Sequence, residues 1–178
     1  MSTKKTMKIA FVTTAMFLLA GCSSSIPNWY LNPPSAEDVF FGVGDANRPQ
    51  KALAKKVATA RARDEVANAV EVKVSTMLKD FMQASGIGDN ASAVEFNESV
   101  SKHVAQVSMK GCVVSKTFIA KDGTIYVLVE YPIGSAREEA INKAKDELEK
   151  QEALYNEFKA RQGFDALEKE LNSMNAAP

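Results

Sequence analysis

The sequence predicts an α+β fold: a small antiparallel sheet packed on long amphipathic helices, with a helical extension at the C-terminus. Three observations carry this. No Pro or Gly falls between Gln50 and Ala84, where Ala54, Ala58, Ala62, Val66, Val70, Val74, Met77 and Phe81 recur at helical spacing. Gly111 to Ala120 and Ile125 to Tyr131 are rich in β-branched and aromatic residues and flank Lys121-Asp122-Gly123-Thr124, a hairpin signal. Val39-Phe40-Phe41-Gly42-Val43-Gly44 reads as a further, N-terminal strand ending at glycines.

The chain opens with Lys4, Lys5 and Lys8 and no acid, followed by the apolar run Ile9 to Leu19. A basic start, a short apolar core and small residues make a secretory signal peptide over 1–21. The run is 11 residues, against about 20 for a membrane span. Leu19-Ala20-Gly21-Cys22 resembles the bacterial lipoprotein lipobox, so cleavage is expected between Gly21 and Cys22. That resemblance implies a diacylglyceryl thioether and an acylated amino group on Cys22. Each buried CH₂ contributes about 0.8 kcal/mol and two chains already anchor stably. Ser23 in place of an acid is consistent with passage to the outer membrane, with the folded part in the periplasm.

Cleavage leaves 157 of the 178 residues, enough for one domain with its own core. The leader removes three Lys, so 19 basic residues face 22 acidic ones. A net charge of −3 gives no case for nucleic acid or anionic lipid. With Cys22 lipidated, Cys112 is the only other cysteine. No disulfide is expected, and an apolar core must hold the fold.

Residues 22–36 form the tether. Ser23-Ser24-Ser25 is a spacer, and the prolines at 27, 33 and 34 bias the rest to a stiff extended arm. Trp29 and Tyr30 on this arm are the candidate interaction surface. They either sit at the membrane interface, where amphipathic rings are favoured, or pack on the domain and pin the arm.

The domain over 37–142 begins with the glycine-ended strand. Gly42-Val43-Gly44 matches the start of a dinucleotide fingerprint, but Asn47 stands where the third Gly belongs. Close backbone contact with the next helix explains the glycines better. Asn47-Arg48-Pro49-Gln50 reads as a helix start with Asn47 as cap. The Ala-rich first half of that helix can approach the sheet closely, and the bulkier second half fills the core. Lys51, Lys55, Lys56, Arg61, Arg63 and Asp64 form its solvated face. Residues 85–92 make a loop, and Ser92-Ala93-Val94-Glu95 a capping box for a second helix with Phe96, Val100, Val104 and Val107 inward. His103 lies on or beside that stripe. It is the only His, and no spaced Cys pair accompanies it, so a structural role is expected and no metal or cofactor.

With a two-residue Asp-Gly turn, Ala120 faces Ile125 and Phe118 faces Val127. Cys112, Val114 and Tyr131 then share that core face, with Ser115, Thr117 and Glu130 opposite. Cys112 is therefore expected to be a buried, inert thiol. After Pro132, Ser135-Ala136-Arg137-Glu138 is a third capping box. One long helix is expected from it to about Gln162, with Ile141, Leu148 and Tyr155 seven apart, Ala144 and Phe158 adding to the seam, and Gln151 interrupting it. Gly163 stops or kinks it, Asp165-Ala166-Leu167-Glu168 caps a last turn, and residues 172–178 fray. The stretch 143–178 is the C-terminal helical extension.

Pro27-Asn28-Trp29-Tyr30 with Pro33-Pro34, Phe41-Gly42-Val43-Gly44-Asp45-Ala46, Ala58-Thr59-Ala60-Arg61-Ala62-Arg63 and the hairpin from Ser115 to Val129 together resemble the Lpp-twenty family of small outer-membrane lipoproteins. That family includes a flagellar-motor lipoprotein. The resemblance covers residues 22–142. It implies an α/β fold, a small antiparallel sheet on long helices, and outer-membrane anchoring. It brings no catalytic residues, and some members assemble into rings or disks around the flagellar motor. The expected function is a non-catalytic, lipid-anchored structural or interaction module that forms a homo-oligomer or binds an envelope protein. The alternative is a periplasmic binding module for peptidoglycan or an envelope enzyme, with Trp29, Tyr30 and the 85–92 loop as surface. Asp38, Asp45 and the Glu run offer carboxylates for an enzyme, but no motif places them.

Overall fold

A computed structural model describes residues 26–87, 90–160 and 163–176. The elements in chain order are α1 (Asn28–Leu31), β1 (Val39–Ala46), α2 (Lys51–Ala84), α3 (Ala91–Gly111), β2 (Val113–Ile119), β3 (Ile125–Pro132), α4 (Ile133–Lys150), α5 (Glu152–Ala160) and α6 (Gly163–Asn172). The sheet is antiparallel with order β1-β3-β2. The fold is α+β, a three-stranded sheet on long helices.

Helix α2 packs on β1, β3 and α3. Its buried ridge runs Ala54, Ala58, Ala62, Val66, Val70, Val74, Leu78 and Met82, joined by Ala67 and Phe81. Steps of four residues drift about 40° around a helix with 3.6 residues per turn. The ridge therefore turns from the sheet at its alanine end towards α3 and α6 at its bulky end. Leu78 takes the fully buried place expected of Met77, which is only partly buried.

The alanines meet the strand glycines. A Cβ on Gly42 would lie 2.2 Å from the Ala62 carbonyl oxygen, and one on Gly44 would lie 2.2 Å from that of Ala58. The helix backbone fills the space a nucleotide phosphate would need, so the glycines serve packing.

Several local expectations are corrected. The arm is not extended throughout. Asn28–Leu31 forms a helical turn with Pro27 as its start, its carbonyl accepting from Tyr30 N–H at 3.0 Å. Pro27 and Pro33 restrict themselves and the residues before them, and the turn fits between those restrictions. None of the first three expected caps is used, and Asp165, the fourth, lies inside the first turn of α6, which begins at Gly163. Asn47 reaches instead to Thr124 Oγ1 at 3.2 Å and the Asp122 carbonyl at 3.3 Å, and α2 starts after Gln50 with no side-chain cap. Helix α3 is capped by Asn90, whose Oδ1 accepts from Ala93 N–H at 2.9 Å, not by Ser92. Helix α4 starts two residues before Ser135, and Ile133 N–H is satisfied by the Asp38 carbonyl at 2.9 Å.

The hairpin also differs. Gly123 has φ +90°, Gly123 N–H bonds the Ala120 carbonyl, and Ala120 N–H bonds the Thr124 carbonyl at 2.8 Å. That is a three-residue loop ending in a left-handed glycine. The Asp122 carboxylate accepts from both Thr124 N–H and Thr124 Oγ1 at 2.9 Å, which fixes it and holds the carboxyl below its usual pKa. The register slips by one, pairing Ile119 with Ile125 and Phe118 with Tyr126. Phe118 therefore moves to the face away from the helices, and Thr117 and Ile119 move to the helix side. A bulge between Val114 and Lys116 restores Val114 to the core side. Gly111 ends α3, so the strand begins only at Val113.

The single long C-terminal helix is broken at Gln151 (φ −112°, ψ 82°). Helices α5 and α6 fold back instead of continuing outward. Leu148, Leu154, Phe158, Leu167, Leu171 and Met174 join the same core as the sheet. The Phe158 ring lies 5.9 Å from both Phe81 and Phe96. Residues 172–176 do not fray: Met174 is buried, and Ala176 N–H bonds the Glu37 carbonyl at 2.9 Å.

Candidate functional site

The face of the sheet turned away from the helices carries the candidate surface. Pairing places Asp45, Tyr126 and Phe118 side by side across β1, β3 and β2. Tyr30 drops onto this row from α1. Its ring centroid is 4.7 Å from that of Tyr126, edge-on, and Tyr126 is 6.3 Å from Phe118. The Tyr30 hydroxyl donates to Asp45 Oδ1 at 2.6 Å. That bond to Asp45 and the partial burial push the Tyr30 phenol up to about 12. Trp29 stacks edge-on to Tyr30 at 6.5 Å and is half-buried. Of the two readings of the arm, the pinned one describes Tyr30. Leu128 on the same face is fully buried, while Phe118 ends the row 38% exposed at the sheet margin.

The two margins differ in backbone chemistry. In an antiparallel sheet each residue turns its N–H and C=O alternately to one neighbour and the other. On β1 the outward groups belong to Phe41, Val43 and Asp45. Two of them are closed by α2: Val43 N–H donates to Glu65 Oε2, and Arg61 Nη1 donates to the Asp45 carbonyl at 2.8 Å. On β2 the bonded pair Ala120–Thr124 sets the alternation, so Thr117 and Ile119 present theirs outward. Strand β2 also lies beyond the helix layer. Of the seven exposed large apolar side chains among the described residues, three are on this strand: Val113, Phe118 and Ile119.

The other expected residues are dispersed. Gly21 and Cys22 lie outside the described residues. Within the 85–92 loop the described part is anchored, with Ile87 buried and its N–H on the Met82 carbonyl at 2.9 Å. His103 Nε2 lies 3.5 Å from Glu139 Oε2, a contact between α3 and α4 at the surface. The Asp38 carbonyl accepts from Ile133 N–H at the start of α4. Cys112 is buried at the end of α3, and burial pushes its thiol up to about 11. Among the described residues no group of three or more His, Cys, Asp or Glu side chains is placed to hold a metal ion. No described helix is long and apolar enough to cross a membrane.

Sequence reasoning missed two features. Residues read as a solvated face, Lys55, Lys56 and Arg63, meet Lys110 and Met109 of α3 around an open trough of about 580 Å³. Arg63 reaches across it to the Cys112 carbonyl at 3.4 Å. The open margin was hidden because strand order is not a local property of the sequence. No family model, curated protein sequence or solved structure matches the chain.

Proposed function

We propose that the chain is a non-catalytic lipoprotein of the Lpp-twenty type, anchored in the outer membrane through acyl chains on Cys22 and serving as a structural or interaction module of the periplasm. The observation that carries this reading is Leu19-Ala20-Gly21-Cys22 placed at the end of a basic, then apolar, leader. The fold is compatible with such a role. The arm that would lead from the lipid docks on the sheet through Tyr30, only eight residues from Cys22, which would hold the domain close to the bilayer. Among the described residues His103, Cys112 and Asp45 do not converge: His103 meets Glu139 at the surface between α3 and α4, Cys112 is buried, and Asp45 is engaged by Tyr30. Cell fractionation tests the anchor. Wild type is expected in the outer membrane, and Cys22→Ser is expected to leave it. Full retention of Cys22→Ser would contradict the proposal.

Two uses of such a module are distinguishable. Self-association into a ring or disk, as in a flagellar-motor assembly, is favoured by the open β2 margin. It predicts oligomers of the purified full chain in detergent. A peptidoglycan-binding module predicts instead a monomer that sediments with purified sacculi.

A further inference from the structure

We propose that β2 is a self-pairing edge: two copies of this chain join β2 to β2 in antiparallel fashion about a two-fold axis at Phe118, making one six-stranded sheet. This deepens the self-association reading above and rests on it. It does not depend on the lipid anchor.

An exposed apolar edge is a hazard that soluble proteins normally blunt. This fold blunts one edge more than the other. Glu65 takes the outward Val43 N–H and Arg61 the outward Asp45 carbonyl of β1, whereas among the described residues no partner meets the outward groups of Thr117 and Ile119 on β2, which lie beside exposed Val113, Phe118 and Ile119. Lys116 is the only charge within Val113–Ile119.

The alternation selects the register. Outward residues must meet outward residues, so an axis at Phe118 sets Thr117 opposite Ile119 of the second copy, and the reverse. Each such pair exchanges two backbone hydrogen bonds, four in all. Phe118 then faces its own copy at a close, non-hydrogen-bonded position, about 4.5 Å between Cα atoms. The aromatic row Tyr30–Tyr126–Phe118 thus continues across the axis into its mirror sequence. Charges agree with this register. Lys116 faces Ala120 of the second copy and lies diagonal to its Asp122, and Lys121 faces Ser115, so no like charges are directly opposed. The bulge after Val114 limits the straight part of the seam to about these residues. So short a seam falls below the roughly 1,200 Å² of stable interfaces. The pairing is therefore weak in dilute solution and is completed where copies are crowded, as on a membrane or in a ring with further contacts.

The test uses the purified full chain in detergent under mild oxidation, with wild type, which carries Cys22 and Cys112, as background. Phe118→Cys is expected to form a disulfide-linked dimer at least tenfold faster than Lys116→Cys or Lys121→Cys. Opposed Cα atoms at this position fall within disulfide range, about 4.4–6.8 Å. Adding Thr117→Pro, which removes only an outward N–H, is expected to abolish that gain while circular dichroism stays unchanged. A mixture of Thr117→Cys and Ile119→Cys chains is expected to cross-link faster than either alone, which covers the case that Phe118→Cys folds poorly. Equal rates at 116, 118 and 121, or rates unaffected by Thr117→Pro, would overturn the seam. Light scattering separates the two levels. Wild-type oligomers that survive Thr117→Pro overturn the seam but leave self-association standing, and a wild-type monomer at every concentration overturns both.

Discussion

The contact between β1 and α2 decides whether this sheet and helix can be joined at all, and Gly42→Ala and Gly44→Ala probe it. At Gly42 the added methyl would sit 2.2 Å from the Ala62 carbonyl oxygen and 2.8 Å from Val66 Cγ2. At Gly44 it would sit 2.2 Å from the Ala58 carbonyl oxygen and 2.6 Å from Ala62 N. Real Cβ contacts begin near 3.0 Å, so helix or strand must retreat by at least 0.8 Å in either variant. The obstacle is backbone, so no rotamer change relieves it. Forcing extra volume into a packed core costs about 1–3 kcal/mol, sometimes more, and the upper end is expected here. For a chain of this size about 3 kcal/mol lowers Tm by roughly 6–12 °C. The double variant should cost less than the sum, because one displacement of α2 accommodates both methyls. Gly134→Ala is the internal control. Nothing lies within 4 Å of a Cβ there and the residue is helical, so the variant should gain up to about 1 kcal/mol. Urea or thermal melts followed by far-UV circular dichroism measure all three. Values for Gly42→Ala and Gly44→Ala within about 0.5 kcal/mol of wild type, the range of an inert surface change, would refute the packing argument.

Other consequences can be tested alongside. Tyr30→Phe should cost about 1 kcal/mol for the lost hydrogen bond to Asp45, whereas Tyr131→Phe should be neutral or stabilising, since the buried Tyr131 hydroxyl has no partner among the described residues. The Tyr30 phenol is about 12 in the fold against 10.0 ordinarily. Its neutral form is thus favoured by folding, so this stability is complete below pH 10 and lost as pH rises towards 12; absorbance titration should lose its highest-pH step partly in Tyr30→Phe. Phe158→Ala, which removes a ring set between Phe81 and Phe96, should cost about 3–5 kcal/mol, measured by the same melts. Cys112 should react with maleimide only at the rate of unfolding, being buried with its thiol raised to about 11.

The sequence exposes what is local and periodic. The uninterrupted apolar ridge marks α2, the β-branched runs mark β2 and β3, and the glycines of β1 betray a close neighbour. It conceals what depends on which group reaches a donor first. Asn47 looks like a helix cap but bonds the distant hairpin. The pattern of a small polar residue followed three places on by Glu or Gln arises readily on charged helix faces, so it misplaced the starts of α3 and α4 as well. Asp-Gly serves two-residue and three-residue loops alike; the bonds from Asp122 to Thr124 select the longer one and move Phe118 to the opposite face. Seven-residue spacing through Leu148 and Tyr155 suggested one helix, yet the core formed by Phe81 and Phe96 draws Phe158 inward and the chain breaks at Gln151 to reach it. Of the candidate surface, Tyr30 was legible as an aromatic on a short arm. Its partner Asp45 and the exposed Phe118 were not, because only the strand order β1-β3-β2 brings them together.

The anchor decides the assigned role, and the mass of the intact chain isolated from cell envelopes tests it most directly. The proposal predicts a chain that starts at Cys22 and is heavier than its amino acids by a diacylglyceryl group and an amide-linked acyl chain. A chain that keeps residues 1–21, or one that starts at Cys22 with an unmodified thiol, would contradict it.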